Sequence, residues 1–137
     1  MNIVVDANII IAALLGSRGT LTLITSQNHR FYAPRWIVEE IQKYKGSICD
    51  MISLSSKEFD ENFDALLVFI NILDSFEYEL FMEKAKKVMD QRDWKDSDYV
   101  ACALAVNADF IWTNDKDFSA QDIVSTRTTD EFIEGNK

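Results

Sequence analysis

The sequence predicts an α/β domain built on a parallel sheet with helices on both faces. Three observations carry this: short continuous apolar runs, as expected of strands buried on both sides; segments between them with apolar residues at helical spacing; and the alternation of the two along the chain. With 137 residues, 47% hydrophobic and 12% aromatic, one domain over 1–137 has enough apolar mass for a core. No repeat or low-complexity run divides it, and with Pro34 the only proline and four glycines there is no proline- or glycine-rich linker.

Ile3-Val4-Val5 reads as the first buried strand, followed by a helix from about Asn8 to Leu15 that stops at Gly16 and a second helix around Thr20 to Ser26. Phe31-Tyr32-Ala33 reads as a strand, and Pro34 suits the first turn of a helix through Tyr44, where its missing N–H costs nothing. Ser55-Ser56 opens a long amphipathic helix to about Phe69; Ile70 to Phe76 includes a strand, and Glu77 to Met89 is helical. A helix from Asp96 to Asn107, a buried strand Phe110-Ile111-Trp112, a short strand Ile123-Val124 and a last turn of helix from Thr129 to Ile133 complete the pattern. The apolar run Leu66 to Ile70 reads as core, with dimerisation the lesser reading.

Composition narrows the function. The longest apolar stretch, Ile9 to Leu15, is far short of the roughly 20 residues that cross a bilayer, and no basic region opens a secretory signal. These features predict a soluble, cytoplasmic protein without a membrane partner. Cys49 and Cys102 lack metal-site or CxxC spacing and read as reduced structural thiols, and His29 as a loop residue. A net charge of −9 argues against a generic basic nucleic-acid binder. The charge is uneven: residues 1–46 carry five basic and three acidic side chains, and the rest 9 basic and 20 acidic.

Several acids stand where a sheet of this kind binds ligands, beyond the carboxyl ends of strands. Asp6 follows the first strand, and Thr113-Asn114-Asp115, with Asp117 two residues on, follows Phe110-Ile111-Trp112. In PRWIVEEIQKY, at roughly 100° per residue, Glu40 falls about 60° from the stripe led by Ile37 and Glu39 about 160° away, so Glu40 faces inward. The same projection of KDSDYVACALAV puts Asp96 about 60° from Tyr99 and Asp98 roughly 100° off on the other side, favouring Asp96. Each acid also has a structural reading: a turn or helix cap for Asp6, a solvated face for Glu40, an N-cap for Asp96, an Asx-turn for Asp115. Jointly, four inward carboxylates without a basic partner in their motifs would repel one another unless a cation bound among them. An all-oxygen set favours Mg²⁺ or Mn²⁺, which can activate water against a phosphodiester.

At VVDAN, PRWIVEEI and KDSDYVACALAVNADFIWTNDKDF the sequence resembles the PIN-domain ribonucleases, over Met1 to about Phe118. The resemblance implies a five-stranded parallel sheet in a three-layer α/β/α sandwich, metal-dependent RNA hydrolysis and frequently a homodimer. By position it carries over Asp6, Glu40, Asp96 and Asp115 as catalytic acids, with Asp117 as an accessory ligand. Asn8 stands where many members have Ser or Thr, and with Thr113 would orient the acids. Small members of this length look like VapC-type toxins, which implies an antitoxin partner. Arg35, Lys43, Lys45, Arg92 and Lys95 are candidates for RNA phosphates. Trp94 is a candidate to stack on a base, and Trp112 reads as core. Two other readings compete: a catalytically silent PIN-like binding module, and a phosphotransferase or phosphoreceiver with Asp6 as nucleophile. The second lacks an aspartate at position 8 and a recognisable late-strand lysine.

Overall fold

The first apolar run becomes the central strand. β1 (Asn2–Val5) is flanked on one side by β2 (Arg30–Pro34) and β3 (Ile70–Leu73), and on the other by β4 (Phe110–Trp112) and β5 (Thr126–Arg127), all parallel. Ile3 stands opposite Phe31 and Phe110, and Val5 opposite Trp112. Ile3, Val4, Val5, Phe110, Ile111 and Trp112 are all completely buried. Covering on both faces is why these runs are apolar throughout instead of alternating. The computed structural model describes residues 1–89, 94–115, 118 and 123–135, with only the backbone of Trp94 and Lys95.

The helices are α1 (Ala7–Leu14), α2 (Arg18–Thr25), α3 (Trp36–Gln42), α4 (Lys45–Ile52), α5 (Ser56–Leu67), α6 (Ser75–Tyr78), α7 (Met82–Met89), α8 (Trp94–Ala105) and α9 (Thr129–Gly135), with a 3₁₀ turn at Glu79–Phe81. α8 lies across β2, β1 and β4 and is itself covered by α6 and α7, while α1 packs against α2, α3 and α5, and α9 against α2 and β5. The fold is an α/β/α sandwich. On the α9 side Phe132 meets Phe110 and Trp112 edge-on at 5.1 and 5.0 Å, the offset that ring quadrupoles favour. Gly16, at φ 95°, lets the chain bend by 112° between α1 and α2. Among the described residues no single helix is long and apolar enough to cross a membrane. Cys49 and Cys102 are free thiols, and His29 packs edge-on against Phe31 and Phe132.

Several boundaries differ from the periodicity reading. Pro34 ends β2, in register with Leu73, instead of opening a helix; a proline pushes its predecessor into extended backbone, which suits Ala33 in a strand. The helix expected through Tyr44 stops at Gln42, and a separate α4 follows. The helix expected from Glu77 to Met89 is broken into three pieces: α6, starting at Ser75 where Asp74 and Glu77 form a capping box, the 3₁₀ turn and α7. The expected strand Ile123-Val124 lies outside the sheet, and its place is taken by Thr126–Arg127. Of the run Leu66 to Ile70, Leu66 and Ile70 are buried but Val68 is 81% exposed, because α5 ends there.

Candidate active site

The strand order reverses direction at β1 and β4, so the segments leaving these two strands diverge and open a crevice beyond their carboxyl ends. Asp6 is placed by the ladder itself: its N–H donates to the Trp112 carbonyl at 3.1 Å, extending the β1–β4 pairing by one step. It also caps α1. One carboxylate oxygen, Oδ1, accepts the Asn8 N–H at 3.1 Å, which satisfies a donor the first helical turn leaves free. Oδ2 accepts the Thr113 hydroxyl at 2.7 Å, and the same Thr113 oxygen accepts the Asp115 N–H at 3.0 Å. Thr113 therefore fastens Asp6 and the Asp115 backbone to each other. Asp6 is 6% exposed. Burial raises its pKa above the usual carboxylate value; the Thr113 and Asn8 bonds oppose the shift, and the Asp115 charge adds to it.

α3 buries Ile37 and Ile41 completely, which turns Glu39 to solvent and leaves Glu40 half-buried toward the domain. α8 presents Asp96 in its first turn. Asp6, Glu40, Asp96 and Asp115 line one crevice of about 290 Å³, together with Asn8, Trp36, Tyr44 and Tyr99. Tyr99 closes its floor: the phenol oxygen accepts the Ala7 N–H at 3.0 Å, and burial, then the Asp6 charge, push its pKa well above the ordinary range.

Residues 4–134 match the family model described as the PIN domain. The chain belongs to the PIN-domain family. No curated protein sequence matches it significantly. Among solved structures it is similar to VapBC2 from Rickettsia felis bound to a DNA fragment from its promoter, with a TM-score of 0.73 at 16% identity, covering 93% of this chain and 98% of that one. It is also similar to FitAcB from Neisseria gonorrhoeae, with a TM-score of 0.61 at 18% identity, covering 93% and 97%. Likeness at that identity speaks for the PIN fold. PIN domains are in general nucleases, which supports a hydrolase.

Around this PIN crevice the remaining expected residues are placed as follows. Lys43 pairs with Glu40 at 3.5 Å across one helical turn, so the expectation that none of the four acids has a basic partner fails for Glu40. Lys45 pairs with Asp60 at 2.8 Å and Arg35 with Asp74. Asp117 and Arg92, and the side chains of Trp94 and Lys95, lie outside the described residues. Asn8 meets Asp6 through its backbone N–H, and its exposed side chain faces the crevice. Trp112 is fully buried, with its indole N–H on Thr129 at 3.0 Å. Asp98 departs from the helical projection. It is 8% exposed, because α6 and α7 cover the side of α8 that the apolar stripe alone would leave open. Its Oδ2 accepts the Trp36 indole N–H at 3.1 Å and the Tyr78 hydroxyl at 2.7 Å.

Among the described residues no three His, Cys, Asp or Glu side chains stand close enough to ligate one ion together. The four acids in the lining, all oxygen donors, still suit a hydrated dication. Magnesium keeps several of its waters and is commonly bound through one or two carboxylates, so neighbouring acids can reach it through water. The repulsion between Asp6 and Asp115 is the local electrostatic demand that such a cation would relieve.

Proposed function

We propose that this PIN domain is a Mg²⁺- or Mn²⁺-dependent endoribonuclease that hydrolyses RNA phosphodiesters with water. The observation that supports the reading best is that four acids from distant segments, Asp6, Glu40, Asp96 and Asp115, line one crevice at the sheet's switch point. Asp6, Asp96 and Asp115, with Asp117, are the residues to hold the ion. A bound dication supplies Lewis acidity toward water and the phosphoryl group. The chain's own part is positioning: Thr113 and the Asn8 N–H orient Asp6, and the Thr113 oxygen anchors the segment that carries Asp115. Glu40 accepts a proton from the attacking water, and no side chain has to act as nucleophile. The decisive comparison is RNA cleavage with and without Mg²⁺ by the wild type and Asp6→Asn. Metal-dependent cutting abolished in the variant, at an unchanged circular dichroism spectrum, supports the reading; equal cutting by both sinks it.

A VapC-type role, with an antitoxin and a second copy of the chain as partners in the cytoplasm, belongs to the same proposal. Its support is the similarity to VapBC2 and FitAcB together with an apolar groove of about 450 Å³ between α1, α2, α4 and α5, lined by Leu14, Leu21, Ile52, Leu66 and Phe69 among others. The competing reading, a silent binding module, is favoured by the lack of three convergent ligands among the described residues. Calorimetry that finds Mg²⁺ binding without cleavage across a broad RNA panel would select it.

A further inference from the structure

Trp36 lines the acidic crevice, and its ring is fixed from two sides. The indole N–H donates to Asp98, and the ring meets Tyr99 edge-on with centroids 5.4 Å apart. Asp98 is not part of the crevice wall. It sits behind it, tied also to Tyr78, so that α3, α6 and α8 are joined through one buried carboxylate. Burying a carboxylate is costly unless it is well hydrogen-bonded; here the Trp36 indole and the Tyr78 hydroxyl both donate to it, and the Trp36 ring also lines the crevice.

Among the described residues, charge near the crevice supplies little of what a polyanion needs. The chain carries −9, and Arg35, Lys43 and Lys45 are each engaged by an acid. Stacking does not draw on charge, and every base offers a π-face to an aromatic ring. A base must be unpaired and splayed out to be reached in this way. Building on the nuclease reading, we propose that Trp36 is the surface on which an unpaired base stacks beside the scissile phosphate, and that Asp98 is the positioning residue that sets its ring. Tyr44, 46% exposed, is a second aromatic side chain lining the same crevice.

The test uses the full chain in Mg²⁺ with a single-stranded RNA oligonucleotide. Trp36→Leu raises KM by at least about fivefold, the lower end of what one base stack contributes, with most of the loss in kcat/KM carried by KM. Trp36→Phe keeps a ring and retains most of the affinity. Asp98→Ala shifts KM in the same direction, and Asp98→Asn restores it, since one amide oxygen can accept from both Trp36 and Tyr78. A second readout does not depend on turnover or on the leucine variant folding. The single strand quenches tryptophan fluorescence in the wild type and does so less in Trp36→Phe, while a duplex of the same length quenches neither. Normal cleavage with an unchanged KM in Trp36→Leu, or equal quenching in wild type and Trp36→Phe, overturns the role of Trp36 alone. A wild type that neither cuts nor binds any RNA overturns the nuclease reading and this inference together.

Discussion

At the scale of single residues, the chemistry turns on Asp6 and the hydroxyl that holds it. Because burial raises the Asp6 pKa above its ordinary 3.8, the folded state binds that proton more tightly than the unfolded chain does. Its contribution to stability is fully present below the unfolded pKa and is lost as pH rises through the folded value. Asp6→Asn imitates the protonated acid and can still cap α1. In metal-free buffer at neutral pH it is therefore expected to melt higher than the wild type, with the gap closing as pH falls toward about 4. Thermal melts across pH check this, and a wild type that melts higher at pH 7 would contradict it. Thr113→Val keeps the shape but removes the donor to Asp6 Oδ2 and the acceptor for the Asp115 N–H. Leaving buried polar groups unmet costs about 1–3 kcal/mol. The variant is expected to lose that stability and at least about tenfold in RNA cleavage; chemical denaturation and single-turnover rates measure the two.

At the scale of elements, what could be read from the sequence depended on what the periodicity could see. The triplets Ile3-Val4-Val5 and Phe110-Ile111-Trp112 are strands as read, because apolarity on both faces leaves them one environment. The face of α3 was equally readable: Ile37 and Ile41 point inward and Glu39 points out. The expected consequence is that Glu39→Gln cuts RNA at a rate within about twofold of wild type, whereas Glu40→Gln loses at least about 10²-fold, the usual scale for positioned acid–base groups. Equal rates for the two variants would remove Glu40 from the chemistry. α8 was only half readable. Asp96 faces the crevice, but Asp98 is buried too, since its partners Trp36 and Tyr78 come from 62 and 20 residues away and leave no mark on a helical wheel. Tyr99 escaped as a site residue for a similar reason: its ring packs in the core while its oxygen meets the Ala7 N–H. Pro34 misled because a proline serves a strand's end as well as a helix's start.

At the scale of the molecule, the order β3-β2-β1-β4-β5 turns a one-dimensional scatter of acids into a site. No local pattern specifies which strands are neighbours. That β1 and β4 are adjacent puts Asp6 and Asp115 on either side of one divide. The same topology sets an acidic crevice into a chain of net charge −9, so an added dication should act on the whole fold. Binding only the native state stabilises it by about 2.7 kcal/mol at a hundredfold excess over Kd. Mg²⁺ is therefore expected to raise the melting temperature of the wild type by several degrees and that of Asp6→Asn by little. A melting temperature that ignores Mg²⁺, or shifts equally in both proteins, would mean that the crevice does not hold the ion.

The most direct measurement is the anomalous signal of a crystal soaked in Mn²⁺. A peak within coordinating distance of the Asp6 and Asp115 carboxylates, with Glu40 and Asp96 around it, is the predicted result. Manganese bound at Glu39 or elsewhere on the surface, with the crevice left empty at saturating concentration, would contradict it.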